Sequence, residues 1–369
     1  LSHEIYNVDS LPVGVDASKV VCTLTTKNNG VAIYKDSTDT WMYYYSTDSI
    51  DFTKPVPFRV CSTSGLYYQD YTIRVNVHKE VADSFEWKAN INYATLQSMT
   101  DMHEVELNNN IYIFGLKDGQ TTIFHGPQSD VTSFTETASS LDANASKSVL
   151  TFGNYVYTMS NGDVIRSKSV LDDYETVASN PGLNRLIGVT SKNMYALSLD
   201  SQIVVSRDSG ATWSQEDLDD DASYLPTSDI SMVYSKVKTN SNMERAVIIG
   251  KSVGDTQHAS IWNKIVNYDN DVEKWLYLDI TTDNVYQAPY ATSFQATNYN
   301  DSIEGFDGET LYKSRDNGMT WYPDDAIVMP SAFVANKSNF AFFADDKGFL
   351  WLITNGTIWK GRRNELGWK

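Results

Sequence analysis

Cysteine is nearly absent from this 369-residue chain: Cys22 and Cys61 are the only two, so no disulfide framework organises it. Basic residues are scarce as well, 29 Lys and Arg against 47 Asp and Glu, and the formal net charge is −18. A surface of that sign repels phosphate, which argues against nucleic acid and against anionic lipid as partners. No apolar run approaches the roughly 18 residues of a membrane span; the longest, near Phe340–Ala344 and Phe349–Ile353, are strand-sized. Helical periodicity is missing. The five histidines (His3, His78, His103, His125, His258) form no HExxH and no close pair. P-loops, serine nucleophile elbows and the Asp-x-Asp-x-Asp-Gly order of a calcium loop are missing too. No metal and no cofactor is therefore expected.

What is abundant is aromatic: 23 Tyr, 14 Phe and 9 Trp, set among Thr and Ser and separated by Gly, Asn and Asp clusters. That composition favours strands and turns. In residues 1–83, strand-like segments fall at Lys19–Thr25, Val31–Tyr34, Trp41–Tyr45, Pro55–Ser62 and Tyr71–Val77. Tyr71, Ile73, Val75 and Val77 share one face while Thr72, Arg74 and Asn76 take the other, the period of a half-buried strand. Short strands at this spacing in some 80 residues read as an immunoglobulin-like β-sandwich. Cys22 and Cys61 both lie in such runs, and a disulfide and two free thiols stay equally open. This module carries a net −3, which leaves −15 to the remainder.

From Ser84 onward the chain repeats. Ser206-Arg207-Asp208-Ser209-Gly210-Ala211-Thr212-Trp213 matches Ser314-Arg315-Asp316-Asn317-Gly318-Met319-Thr320-Trp321 at six of eight positions. Weaker copies place anchor positions at Gly126, Ser167, Ser206, Lys264, Ser314 and Gly361, with a mean interval of 47 residues. An apolar pair precedes each anchor. An aromatic follows each: Phe134, Tyr174, Trp213, Trp275, Trp321 and Trp368. A unit of three or four short strands at this period is a propeller blade, and six such units fill residues 84–369. The expected fold is all-β, an immunoglobulin-like sandwich (1–83) followed by a six-bladed β-propeller (84–369). Because the last unit ends without room for its outer strand, Ser84–Ile91 is expected to pair onto the last blade and close the ring.

The octapeptide resembles the Asp-box of sialidases and other propellers. In such a hairpin a carboxylate (Asp208, Asp316) accepts backbone N–H bonds, a glycine (Gly210, Gly318) supplies positive φ, and a tryptophan (Trp213, Trp321) packs over the turn. With Ser206 and Ser314 these residues are expected to be structural. Asp-boxes of that family sit on the blade periphery, and the Phe-Arg-Ile-Pro motif and arginine cluster of sialidases have no counterpart here. Outside the first module Arg occurs only at 166, 185, 207, 245, 315, 362 and 363. The acidic runs Asp217–Asp221 and Asp324-Asp325 read as solvated loops. Trp262, Trp351 and Trp359 read as core, whereas Trp41 and Tyr43–Tyr45 are not accounted for by the repeat.

The segments Tyr45–Phe52, Pro55–Val60 and Tyr71–His78 are similar to the immunoglobulin-like domain that opens a family of Bacteroidetes surface lipoproteins of undefined function, joined there to an Asp-box propeller. The resemblance implies an exported protein, at the outer-membrane surface or in the periplasm, attached only through a lipid anchor on its precursor. It transfers no catalytic residue. The expected function is a non-catalytic binding or scaffold protein that recognises a glycan or a surface protein through the propeller face. The alternative is a glycoside hydrolase or lyase acting in the central funnel, which would need a close pair of buried carboxylates there.

Overall fold

A computed structural model describes residues 3–364 except 80, 82–83, 255–257, 280–283 and 290. The chain is all-β and divides into two compact units, the second spanning Phe85–Arg362. Among the described residues no helix is long and apolar enough to cross a membrane.

In the first unit a five-stranded sheet runs in the order Glu4–Tyr6, Tyr68–Arg74, Val56–Cys61, Val31–Lys35, Trp41–Tyr43. A two-stranded ladder joins Val20–Val21 to Ser49–Ile50. One expected strand is shorter than its run, and one strand is additional to those the sequence suggests. The strand expected over Lys19–Thr25 shrinks to Val20–Val21, preceded by a 3-10 turn whose Asp16 carboxylate caps the Ser18 N–H. And Glu4–Tyr6, with too few residues to show alternation, pairs parallel to Tyr68–Arg74. Phe52, Val56, Phe58 and Ile73 form the core, against which Cys22 packs. Both thiols are free. Alternation along Val56–Cys61 explains why: Val56 and Phe58 turn to the core, so Cys61 shares the opposite face with Arg59, and the sheet separates it from Cys22.

Among its described residues the second unit holds six four-stranded antiparallel sheets. Their first strands are Thr100–Leu107, Leu150–Phe152, Leu183–Val189, Pro226–Lys236, Gln295–Tyr299 and Phe340–Ala344. Each of these strands lies beside the first strands of the two neighbouring sheets, and the sixth lies beside the first, which closes a ring. Strand Phe85–Asn92 is the outer strand of the sixth sheet, where ring closure requires it. Its Trp87 Nε1 donates to the Val328 carbonyl at 3.1 Å.

Local chemistry sets the hairpins. Asn108-Asn109, Asp118-Gly119, Asn161-Gly162, Asn300-Asp301 and Asn355-Gly356 each place two successive residues at positive φ, the two-residue turn whose twist matches the strands it joins. Middle strands are buried on both faces and read as unbroken apolar runs, as in Leu350–Thr354. The reason is the packing: six apolar clusters fill the six gaps between neighbouring sheets. Trp262, Trp351 and Trp359 all belong to them.

The weaker repeat copies differ in detail. Lys264 does not end its strand: Ser260–Asn267 runs on past it, which accounts for the longer interval to Trp275. Gly361 likewise stands inside Thr357–Arg363. Trp368 lies outside the described residues.

Candidate functional site

The two octapeptides form loops between the third and fourth strands of the third and fifth sheets, away from the ring's centre. Asp208 Oδ1 accepts from the Thr212 N–H (2.9 Å), and Oδ2 accepts from the Thr212 hydroxyl (2.6 Å). The Gly210 N–H donates to Ser206 Oγ at 2.8 Å and Trp213 Nε1 to the Gly210 carbonyl at 3.0 Å. Ser314, Asp316, Gly318, Thr320 and Trp321 repeat every one of these bonds. The Thr212 bonds hold the Asp208 carboxyl below the usual range. Gly210 (φ +90) abuts Tyr157 and Val164 of the preceding sheet, and Gly318 (φ +94) abuts Ile261. The Ser, Asp, Thr and Trp side chains of each loop thus bond within the loop, and its glycine packs against a neighbouring sheet. None of the eight residues lines the channel described next.

The six first strands surround a channel of about 580 Å³. A strand at the centre of the ring has no fifth neighbour, so its free backbone groups need other partners. Polar side chains supply them. Gln295 Oε1 accepts from the Phe342 N–H (2.7 Å), Ser231 Oγ from the Ala296 N–H (3.0 Å), and Thr151 Oγ1 donates to the Glu106 carbonyl (2.9 Å). These bonds give Gln295, Ser231 and Thr151 a structural role on the channel-lining strands.

The starts of the same strands bring charged groups together from the first four sheets. Lys147 Nζ lies 3.4 Å from Asp101 Oδ2, and Lys251 Nζ 3.6 Å from Asp229 Oδ2. Arg185 Nη2 donates to the Lys147 carbonyl at 2.7 Å. Its Nε is buried without a partner, as is Asn339 Oδ1. His103 Nδ1 stands 3.3 Å from the Asp101 carbonyl. Loss of hydration and the nearby Arg185 charge push the His103 imidazole down to about 4, so it is neutral at pH 7. Deeper along the same strand, loss of hydration pushes Glu104 up to about 8 and Glu106 to about 7, the latter also facing Asp346 and Asp345. Among the described residues no three His, Cys, Asp or Glu side chains are grouped to hold a metal ion.

Glu104 has a consequence for stability. Its carboxyl rises from an ordinary 4.5 to about 8 in the folded protein. Between those values the native state holds a proton that the unfolded state has released, so stability falls as pH rises through that window. Glu104→Gln removes the penalty. We expect equal melting temperatures at pH 4 and a variant more stable by about 1–3 kcal/mol at pH 9, a range reduced from the full shift because channel water screens the site. Denaturant titrations at the two pH values check this; a variant no more stable at pH 9 contradicts it.

The acidic run Asp217–Asp221 is solvated as its composition implies, with Asp217, Asp219, Asp220 and Asp221 all exposed, and of the pair Asp324-Asp325 only Asp324 departs from that reading. The Asp324 side chain is only 6% exposed and lies 3.4 Å from Lys313 Nζ, which also pairs with the fully buried Glu304 at 3.0 Å. Asp221 caps the short turn Ala222–Tyr224.

The chain belongs to the DUF6242 family: the profile of the DUF6242 beta propeller domain matches residues 81–369, and that of the DUF6242 N-terminal domain matches residues 1–75. No curated protein matches the sequence. Among solved structures, an auxiliary nutrient binding protein from Bacteroides thetaiotaomicron VPI-5482 is 10% identical, with a TM-score of 0.50 over 85% of this chain and 84% of that one. An auxiliary nutrient binding protein from Bacteroides ovatus ATCC 8483 is 8% identical, with a TM-score of 0.47 over 90% of each chain. The alpha-L-arabinofuranosidase Arb93A of Fusarium graminearum is 11% identical, with a TM-score of 0.44 over 76% of this chain and 96% of that one. At these identities the likeness is one of fold.

Proposed function

We propose that this protein is an exported, non-catalytic glycan-binding protein: an immunoglobulin-like sandwich followed by a six-bladed propeller with Asp-box hairpins, which takes its ligand at the channel mouth. The observation that carries the reading is the channel itself. Its volume of about 580 Å³ suits a small ligand, and its mouth presents hydroxyl, amide and charged groups with two buried polar atoms left unpaired. Sugar hydroxyls both donate and accept, which such a mixed rim can match. A lipid anchor on the precursor, placing the protein at the outer-membrane surface or in the periplasm, is part of the same proposal and rests on the resemblance of the first module.

Hydrolysis of a glycosidic bond needs two carboxylates on either side of it. Glu104 and Glu106 stand two residues apart on one strand, so they leave the same face side by side about 7 Å apart. That is the geometry of a wall, not of a pair flanking a substrate. A second reading, a glycoside hydrolase or lyase, draws on Glu104 alone: a carboxyl titrating near 8 is a proton donor at neutral pH, and Asp229 on the opposite sheet would be its counterpart. A glycan array run beside hydrolysis assays on the same panel separates the two. Binding without product supports the proposal; turnover of any glycan makes the second reading correct.

A further inference from the structure

One cation at the channel mouth, Arg185, is left over from the ion pairs there, and this deepens the glycan reading by naming the chemistry of the ligand. Asp101 has Lys147 at 3.4 Å, and Asp229 has Lys251 at 3.6 Å. At pH 7 His103 is neutral and Glu104 mostly protonated, while Glu106, held near 7, is partly ionised. Among the described residues Arg185 makes no ion pair within 4 Å, although the charges of Asp229 and Asp101 still favour its cationic form. Its hydrogen bond from Nη2 to the Lys147 carbonyl fixes the guanidinium plane, while the buried Nε has no partner and the remaining donors are unengaged. A guanidinium held in place with its donors unused is costly unless something occupies them.

We propose that the channel mouth recognises the carboxylate of an acidic sugar, with Arg185 as the residue that binds it. A planar fork of N–H donors matches the two oxygens of a carboxylate, a fit that a lysine ammonium lacks. Ser228, Ser293, Ser338 and Asn339 stand at the starts of the neighbouring strands and offer hydroxyl and amide groups to the rest of a sugar ring. The net charge of −18 does not forbid an anionic ligand here. At physiological salt, charges separated by more than about 8 Å are largely screened, so the local balance at the mouth governs.

The test uses the whole chain with nitrogen-15 labelling. The Nε–H resonance of Arg185 is assigned by its loss in Arg185→Lys and followed during titration with D-glucuronate, D-galacturonate, D-glucose, D-galactose and sodium sulfate. A saturable shift with a uronate is expected, with the matched neutral sugar and sulfate at least tenfold weaker. Arg185→Gln is expected to bind the uronate at least tenfold more weakly, and Arg185→Lys, which keeps the charge without the fork, to be weakened as well. The absence of a saturable shift with either uronate overturns the proposal. So does a sulfate affinity equal to the uronate's, or unchanged binding in a folded Arg185 variant. Neutral sugars that bind where uronates do not would end this inference and leave the glycan reading standing; failure of all four sugars would end both.

Discussion

Trp351→Ala is expected to lower the free energy of unfolding by about 3–5 kcal/mol, the cost of emptying a large aromatic site in a packed core. Trp351 is fully buried in the sixth sheet. It stacks on Phe343 at 5.7 Å and lies 6.1 Å from Phe134, which belongs to the first sheet. Its Nε1 donates to Asp345 Oδ2 at 2.8 Å. The residue therefore fills the gap at which the ends of the ring meet. Alanine there removes the aromatic contacts to both sheets and leaves the Asp345 oxygen without its donor. Trp351→Phe keeps most of the volume and loses the hydrogen bond, so it should cost less than half as much. Equilibrium unfolding in urea measures both, and a loss below about 1 kcal/mol for alanine would mean that the seam is not held as described.

Lys264→Ala is expected to cost a comparable 3–5 kcal/mol at pH 7, for an electrostatic reason. The Lys264 side chain is 3% exposed and contacts Glu216, itself 4% exposed, and Asp271 at 3.1 Å. Arg207 completes the network from a partly exposed position, 3.0 Å from Glu216 and 2.7 Å from Asp271. Without Lys264, two enclosed carboxylates share one cation. A buried charge that has lost its partner is penalised far more than a pair removed together. The double variant Lys264→Met with Glu216→Leu, which leaves the Arg207–Asp271 pair intact, should thus recover most of the loss. A double-mutant cycle reads this directly; additive losses would show that the two side chains do not act as a pair.

Much of this architecture is legible in the residues. Six apolar pairs, each followed by a turn and an aromatic, mark the third strands of the six sheets, and the strand-like run ahead of the first unit marks Phe85–Asn92, the outer strand of the sixth. The loops at Asp208 and Asp316 are legible because their bonds are local: every partner lies within about one turn in sequence. The channel is another matter. Its residues come from six distant segments, and no spacing connects Asp101, Lys147, Arg185 and Asp229 before the ring brings them together. Two signals stood in the sequence all the same. The segment Met102-His103-Glu104-Val105-Glu106-Leu107 alternates acids with apolar residues where a ring of six sheets leaves little surface. Arg185 is one of few arginines in the chain and interrupts the apolar strand Leu183–Val189. Lys264 misled for the reverse reason: its place in the repeat resembled a turn, while its ammonium pairs with Glu216 and Asp271 inside the protein.

A glycan that enters the channel mouth is expected to leave it unchanged. The most direct measurement is calorimetric titration of the strongest array ligand into the wild-type chain and into Ser338→Trp, whose indole would stand at the exposed rim of the mouth, with the recovered glycan then analysed for cleavage. Saturable one-site binding to the wild type, at least tenfold weaker binding to the variant, and glycan recovered intact are expected. Equal binding to both proteins would place the site elsewhere, and cleaved glycan would make the protein an enzyme.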